Sequence, residues 1–212
     1  FHKIFFGLIP LPADLIVGGY LPWLDNKWGY TTGVPVKNTK LSDAVSIFYP
    51  LKELAAADLR KGELPLWNPY MFGGYPLFAS VQLGLLFPTI VFYLIFSSPV
   101  AWTLQTMSQP LLASIFTYIF LRHLKLDMLS SVFGSIAYGF GGFTILWMQW
   151  NTHATTAMFL PILLLLEDKF IISKQIKWGI MLSIFFCLQI FAGYLPILPF
   201  TLIALAIWWL FR

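Results

Sequence analysis

The chain has 212 residues, 58% of them hydrophobic and only 10% charged, with a formal charge of +4 and a mean hydropathy of +0.77. Soluble domains carry about 25% charged residues, so this chain has too little charge to coat a soluble globule of its length. The positive charge is small and scattered, and it implies no nucleic-acid partner.

Residues 1–10 read as the end of a preceding membrane span, and the sequence is expected to be a piece of a longer protein. Residues 1–63 hold six acids and seven bases with many glycines and prolines, so most of this stretch is expected outside a bilayer. Pro10, Pro12, Gly18, Gly19 and Pro22 interrupt any early helix. A helix is predicted over 50–61, with proline in its first turn, Arg60 and Lys61 at its C-terminal end and Gly62 as its stop. Leu51, Leu54, Ala55 and Leu59 fall on one face, so this helix is expected to lie along a membrane surface. Residues 62–76 then contain three prolines and two adjacent glycines in an apolar setting, which predicts an irregular, packed segment.

No Asp, Glu, Lys or Arg occurs over 64–121, 128–166 or 178–211. A membrane helix needs roughly 20 mostly apolar residues, so each tract can hold at least one span. Spans are expected at 100–121, 129–149, 152–166, 179–192 and 197–211. Ser131, Ser135 and Gly139 recur at every fourth position, which suits close helix packing in lipid. Trp102, Trp147, Trp150, Trp178, Trp208 and Trp209 sit near the ends of apolar runs, where interfacial tryptophans gather. Cys187, the single cysteine, is read as an inert thiol within a span. The basic residues near 122–125, 169–177 and 212 fall on one side of these spans, which the positive-inside rule makes cytoplasmic. The segment 81–96, with Pro88 in its middle, is marginal for a crossing. If it crosses, residues 1–63 are cytoplasmic; if it dips in or lies flat, they are outside, and charge does not decide between the two.

One long pattern stands out. Ser42-Asp43, Phe48-Tyr49-Pro50 and the run from Leu59-Arg60-Lys61-Gly62 through Leu64-Pro65-Leu66-Trp67-Asn68-Pro69-Tyr70, with Phe72-Gly73-Gly74-Tyr75-Pro76-Leu77, resemble the bacterial YfhO-like membrane protein family. That family is similar to glycosyltransferases of the GT-C fold, which take sugars from polyprenyl-phosphate carriers outside the membrane. The resemblance implies an all-α, polytopic transmembrane bundle whose extracytoplasmic loop region carries short interfacial helices. Residues 1–80 would form that loop region and 81–212 the membrane region, with 81–96 re-entrant or interfacial. The implied location is the cell membrane, multi-pass, with residues 14–80 extracytoplasmic. The implied partners are membrane lipids, a polyprenyl-phosphate-linked sugar and a cell-envelope polymer as acceptor.

In the GT-C fold an acid in the first external loop acts in catalysis, and the resemblance carries that role to Asp43. Asp14 and Asp25 are rival acids in the same region. Without the motif, Asp43 reads as a residue beside a helix cap or as a solvated acid. Lys40, Lys52 and Arg60, with Lys37 and Lys61, are candidates to hold a lipid phosphate; as single residues they read first as headgroup anchors or helix-end charges. Arg60 alone offers the planar fork suited to phosphate. His153, beside Trp150 and Asn151 at an outer tip, is a further candidate, and Trp67 is a candidate to stack on a sugar; the ordinary readings are an interfacial polar residue and a packing aromatic. Many family members carry Gly-His-Pro near the place where this chain reads Gly193-Tyr194-Leu195-Pro196, a departure that removes their histidine. No metal site is expected, no motif identifies a cofactor, and there is no Walker loop or Gly-x-Ser-x-Gly. A transporter or flippase of a lipid-linked glycan and a non-catalytic membrane scaffold are the alternative functions.

Overall fold

The computed structural model describes residues 7–212. Residues 1–6 of the expected preceding span end lie outside that range. The described chain is mostly helical, and its strands are two residues each. It packs as two compact units. One comprises residues up to 79 together with Val91–Leu104, the other Ser80–Ile90 with Gln105–Arg212.

The first unit begins with a short helix, α1 (Asp14–Gly19). Asp14 accepts a hydrogen bond at 2.9 Å from the backbone N–H of Lys37, which ties the returning loop to the helix. Gly18 makes that approach possible, because a Cβ there would lie 2.6 Å from the Val34 carbonyl oxygen. A 3₁₀ segment follows at Trp23–Gly29, then a 3₁₀ turn at Thr39–Leu41 capped by the Asn38 side chain. A π turn at Ala44–Phe48 leads directly into α2 (Tyr49–Arg60), where the sequence predicts a helix over 50–61. Pro50 has no N–H to give residue 46, and its ring crowds that carbonyl. A widened turn just before it lets the helix run through. The buried face carries Leu41, Ala44, Val45, Phe48, Leu51, Ala55 and Ala56.

The glycine- and proline-rich stretch expected to be irregular contains a small hairpin. Strands β1 (Trp67–Asn68) and β2 (Tyr75–Pro76) pair antiparallel, Trp67 opposite Pro76 and Asn68 opposite Tyr75. Asn68 and Leu77 are fully buried beneath it. Gly74 sits at φ +103° under the Trp67 ring, where any Cβ would meet the indole at 2.6 Å. The segment expected to be marginal contains a 3₁₀ turn at Val81–Leu83, a left-handed Gly84 and a six-residue helix, α3 (Ile90–Ile95). Six residues rise about 9 Å, well short of the hydrocarbon thickness.

Helix α4 (Ser98–His123) is 26 residues long with Pro110 inside it, and it belongs to the first unit through Leu104 and to the second from Gln105. The second unit continues with α5 (Met128–Gly139), capped by Asp127, whose carboxylate accepts the Ser130 N–H at 3.0 Å. Ser131, Ser135 and Gly139 are the buried residues of α5. Gly139 meets Ser114 and the Pro110 carbonyl of α4 with no space for a side chain. Helix α6 (Gly142–Trp147) and a 3₁₀ turn at Met148–Trp150 extend the run. Two further pieces, α7 (His153–Ala157) and α8 (Leu160–Ser173), occupy the region of the next expected span. Helices α9 (Ile176–Phe191) and α10 (Leu198–Phe211) follow, and α8 packs against both. The core of this unit gathers Phe87, Ala113, Phe159, Leu163, Leu166 and Leu205.

Among the described residues one helical run, Met128–Trp150, is long and apolar enough to cross a membrane by length and composition. Ile176–Phe191 and Leu195–Phe211 are apolar but shorter.

Candidate functional site

Asp43 stands immediately before the π turn, exposed, and makes no capping hydrogen bond to it. Its backbone is already helical, at φ −60° and ψ −32°, so its carboxylate is not placed to cap the following turn. Here Ala44 and Val45 are drawn into the core while the carboxylate points to the surface. Lys40 lies three residues earlier in the Asn38-capped turn and is also exposed. The chain thus presents an exposed acid and an exposed cation three residues apart in sequence, ahead of α2.

Other expected residues are held elsewhere. Arg60 closes α2, and 17 residues of continuous helical rise put it about 25 Å along the axis from Asp43. Its guanidinium donates to the carbonyl of Tyr93 and, at 3.1 Å, to that of Phe96, and it lies 3.8 Å from Glu53. It ties down the end of α3 and cannot reach a phosphate bound beside Asp43. Lys52, expected as a headgroup or phosphate anchor, is only 2% exposed. It falls on the same face of α2 as Leu51, Ala55 and Ala56, and its ammonium nitrogen is 5.8 Å from the ring centroids of both Tyr93 and Trp102. Burial pushes its amine down to about 7. The same burial, aided by the Glu53 charge, pushes the Tyr49 hydroxyl up. Asp14 is occupied with the Lys37 backbone, and Asp25 lies exposed in the Trp23–Gly29 segment. Trp67 is 53% exposed at one edge of the hairpin while its ring covers Gly74.

His153 belongs to the second unit and is buried. Its ring stacks on Trp147 at 4.5 Å between centroids and faces Tyr194 at 3.6 Å. Tyr194, where the family resemblance leads one to expect a histidine, is therefore the direct neighbour of His153. A polar interior surrounds them. Asn151, in a left-handed turn, accepts from Thr106 at 3.1 Å and from the Gln109 amide through its side chain, and its backbone carbonyl accepts from Gln105 at 3.1 Å. Gln189 bridges Thr156 and Thr201. The i, i+4 spacing of Gln105 and Gln109 puts both amides on one face of α4, a signal that was visible in the sequence. Their shared partner, a turn asparagine, was not. Farther along, Asp168 is fully buried and receives Arg212, His123 at 2.7 Å and Trp208 at 3.2 Å. None of its partners could have been paired with it from sequence spacing.

Among the described residues no group of three or more His, Cys, Asp or Glu side chains is placed to hold a metal ion. No family model, curated protein or solved structure matches the chain.

Proposed function

We propose that this chain is part of a polytopic membrane glycosyltransferase that moves a sugar from a polyprenyl-phosphate carrier to an extracytoplasmic acceptor. The observation that carries the transfer chemistry is the Asp43 carboxylate, exposed and uncommitted to the turn it precedes. It takes the proton of an acceptor hydroxyl as that oxygen bonds to the sugar's anomeric carbon. The bond from that carbon to the carrier phosphate breaks, and the polyprenyl phosphate leaves with the electron pair. Lys40, beside Asp43, is the cation placed to steady the departing phosphate.

The membrane part of the reading is supported by inverted polarity in the second unit. Leu129, Phe133, Ile176, Phe200 and Leu210 are each more than two-thirds exposed, while Gln105, Gln109, Asn151 and Gln189 are almost wholly buried. That arrangement suits lipid as the surrounding solvent. The extracytoplasmic placement of residues 14–80 is part of the same proposal, and the location is the cell membrane.

Asp43→Asn keeps the size of the side chain and removes its basic oxygen. In the full-length protein, transfer from a polyprenyl-phosphate sugar falls about 10²–10⁴-fold, the range for a positioned acid–base group. Asp14→Asn and Asp25→Asn retain far more activity. Wild-type turnover by Asp43→Asn discards the assignment. Topology is checked separately with an impermeant thiol reagent on intact cells: Lys40→Cys is labelled and Lys174→Cys is not, and the reverse pattern inverts the proposed orientation.

The buried amide cluster of Gln105, Gln109, Asn151 and Gln189 favours one second reading, a transporter of a lipid-linked glycan. That reading predicts movement of the glycan lipid across a vesicle membrane with Asp43→Asn fully active.

A further inference from the structure

The hairpin raises a question of its own, because it holds two aromatic side chains away from the rest of the protein. Phe72 is 92% exposed and Tyr70 is 80% exposed. This is not fraying. The two strands pair on either side, Gly74 N–H donates to the Met71 carbonyl at 2.9 Å, and Leu77 N–H donates to the Leu66 carbonyl at 2.9 Å. The buried Asn68 accepts the Tyr70 N–H at 3.0 Å from below. Phe72 also sits at φ +54°, a left-handed conformation that a bulky residue adopts at a cost. Within the chain its ring has a tilted contact with Tyr75, 6.4 Å between centroids, and stays almost wholly exposed.

We propose that the tip of this hairpin, residues 69–74 with Tyr70 and Phe72, is an anchor seated in the headgroup layer of a phospholipid bilayer. The proposal rests on the membrane part of the function above and goes beyond it. Charge is partitioned as such an anchor requires. Arg60, Lys61 and Glu63 stand at the base of the segment, and no charged residue follows until Arg122. Lys61 is exposed there and suits an anionic headgroup. The tip is also too polar in its backbone for hydrocarbon. Its turn leaves peptide groups without internal partners, which the bilayer core does not tolerate but hydrated headgroups do. Tyr70 and its neighbour Trp67 are amphipathic rings of the kind that gather at that depth. Apolar rings, polar backbone and a cation at the base together select the interface over both bulk water and the hydrocarbon core.

Nitroxide labels on the full chain, reconstituted in vesicles of phosphatidylcholine and phosphatidylglycerol, test this. The background is Cys187→Ala, since Cys187 is the single cysteine and is exposed. Phe72→Cys reports the tip, Asn26→Cys reports water, and Phe133→Cys on the Met128–Trp150 run reports the lipid-facing surface. Tyr70→Cys repeats the tip measurement should Phe72→Cys fail to fold. Collision with oxygen is compared with collision with a water-soluble nickel chelate. The expected result is a loss of nickel accessibility at the tip relative to position 26, to a value between those of 26 and 133. A tip as open to nickel as position 26, with 133 shielded, overturns the anchor and leaves the membrane reading standing. Nickel access at 133 with a shielded, oxygen-accessible tip overturns the spanning reading and keeps the anchor as a peripheral one. A tip closed to both oxygen and nickel means a protein surface covers it, and that overturns the proposal.

Discussion

The two units distribute polarity differently. In the first, Leu41, Val45, Phe48 and Leu51 are buried and the acids Asp25 and Asp43 face outward, alongside exposed apolar side chains such as Leu21, Leu64 and Phe72. In the second, long apolar side chains line the outside, and the inside holds carboxamides, hydroxyls and a carboxylate beside an apolar core. Each also buries one ionisable side chain. The first unit buries the Lys52 ammonium group among aromatic rings, and the second buries the Asp168 carboxylate among cationic and indole donors. The contrast teaches that hydrophobic content alone does not describe this chain. What matters is which side of each helix must be solvated, and by what.

The contrast can be broken most severely at Asp168. Asp168→Ala removes the acceptor for Arg212, His123 and Trp208 and should cost about 3 kcal/mol, the lower end for a broken buried pair because Arg212 is partly exposed. Thermal unfolding in detergent measures it, and an unchanged Tm shows that the cluster contributes nothing net. The polar interior is next. Asn151→Ala removes the side-chain oxygen that accepts from the Thr106 hydroxyl and the Gln109 amide and should cost about 1–3 kcal/mol. If that variant is as stable as wild type, water has replaced the side chain and the interior is wetter than its packing indicates.

The effect that is smallest per pH unit tests the buried amine of the first unit. With its amine pushed down to about 7, Lys52 is neutral in the folded protein at a pH where the unfolded chain still protonates it. The unfolded state then binds more protons, so stability rises with pH from about 7 to the usual lysine range near 10.4, by at most about 1.4 kcal/mol per pH unit. Below 7 both states are protonated and this contribution is flat. Lys52→Met should abolish that slope, read as Tm against pH. A slope that survives the substitution belongs to another group.

Much of the helical layout was legible because long charge-free tracts and α-helical periodicity are local signals. The helix predicted over 50–61 forms at Tyr49–Arg60, and the small-residue face of Ser131, Ser135 and Gly139 is buried. The break between α5 and α6, the break between α7 and α8 and the hairpin depend on tertiary packing and were not legible. The candidate site divides in the same way. Asp43 could be singled out by its motif, whereas the burial of Lys52 depends on Tyr93 and Trp102, which lie about 40 and 50 residues away in sequence. The capture of Arg60 by the end of α3 is equally non-local.

The widened turn before Pro50 carries one more consequence, for how this chain can change over time. An α-helix advances about 100° per residue, and the wider turn at Ala44–Phe48 absorbs one extra residue with little net rotation between Asp43 and everything on Tyr49–Arg60. A substitution in that turn leaves the phase alone. A further residue inserted there, beside the exposed Ser46, has no second widened turn to absorb it and swings Asp43 about 100° around the axis relative to the helix beyond it. The carboxylate would survive in the sequence and lose its direction. Insertions across these five residues disturb the aim of Asp43 as well as the packing of Ala44, Val45 and Phe48, so the spacing between Asp43 and Pro50 is as much a part of the site as the acid itself.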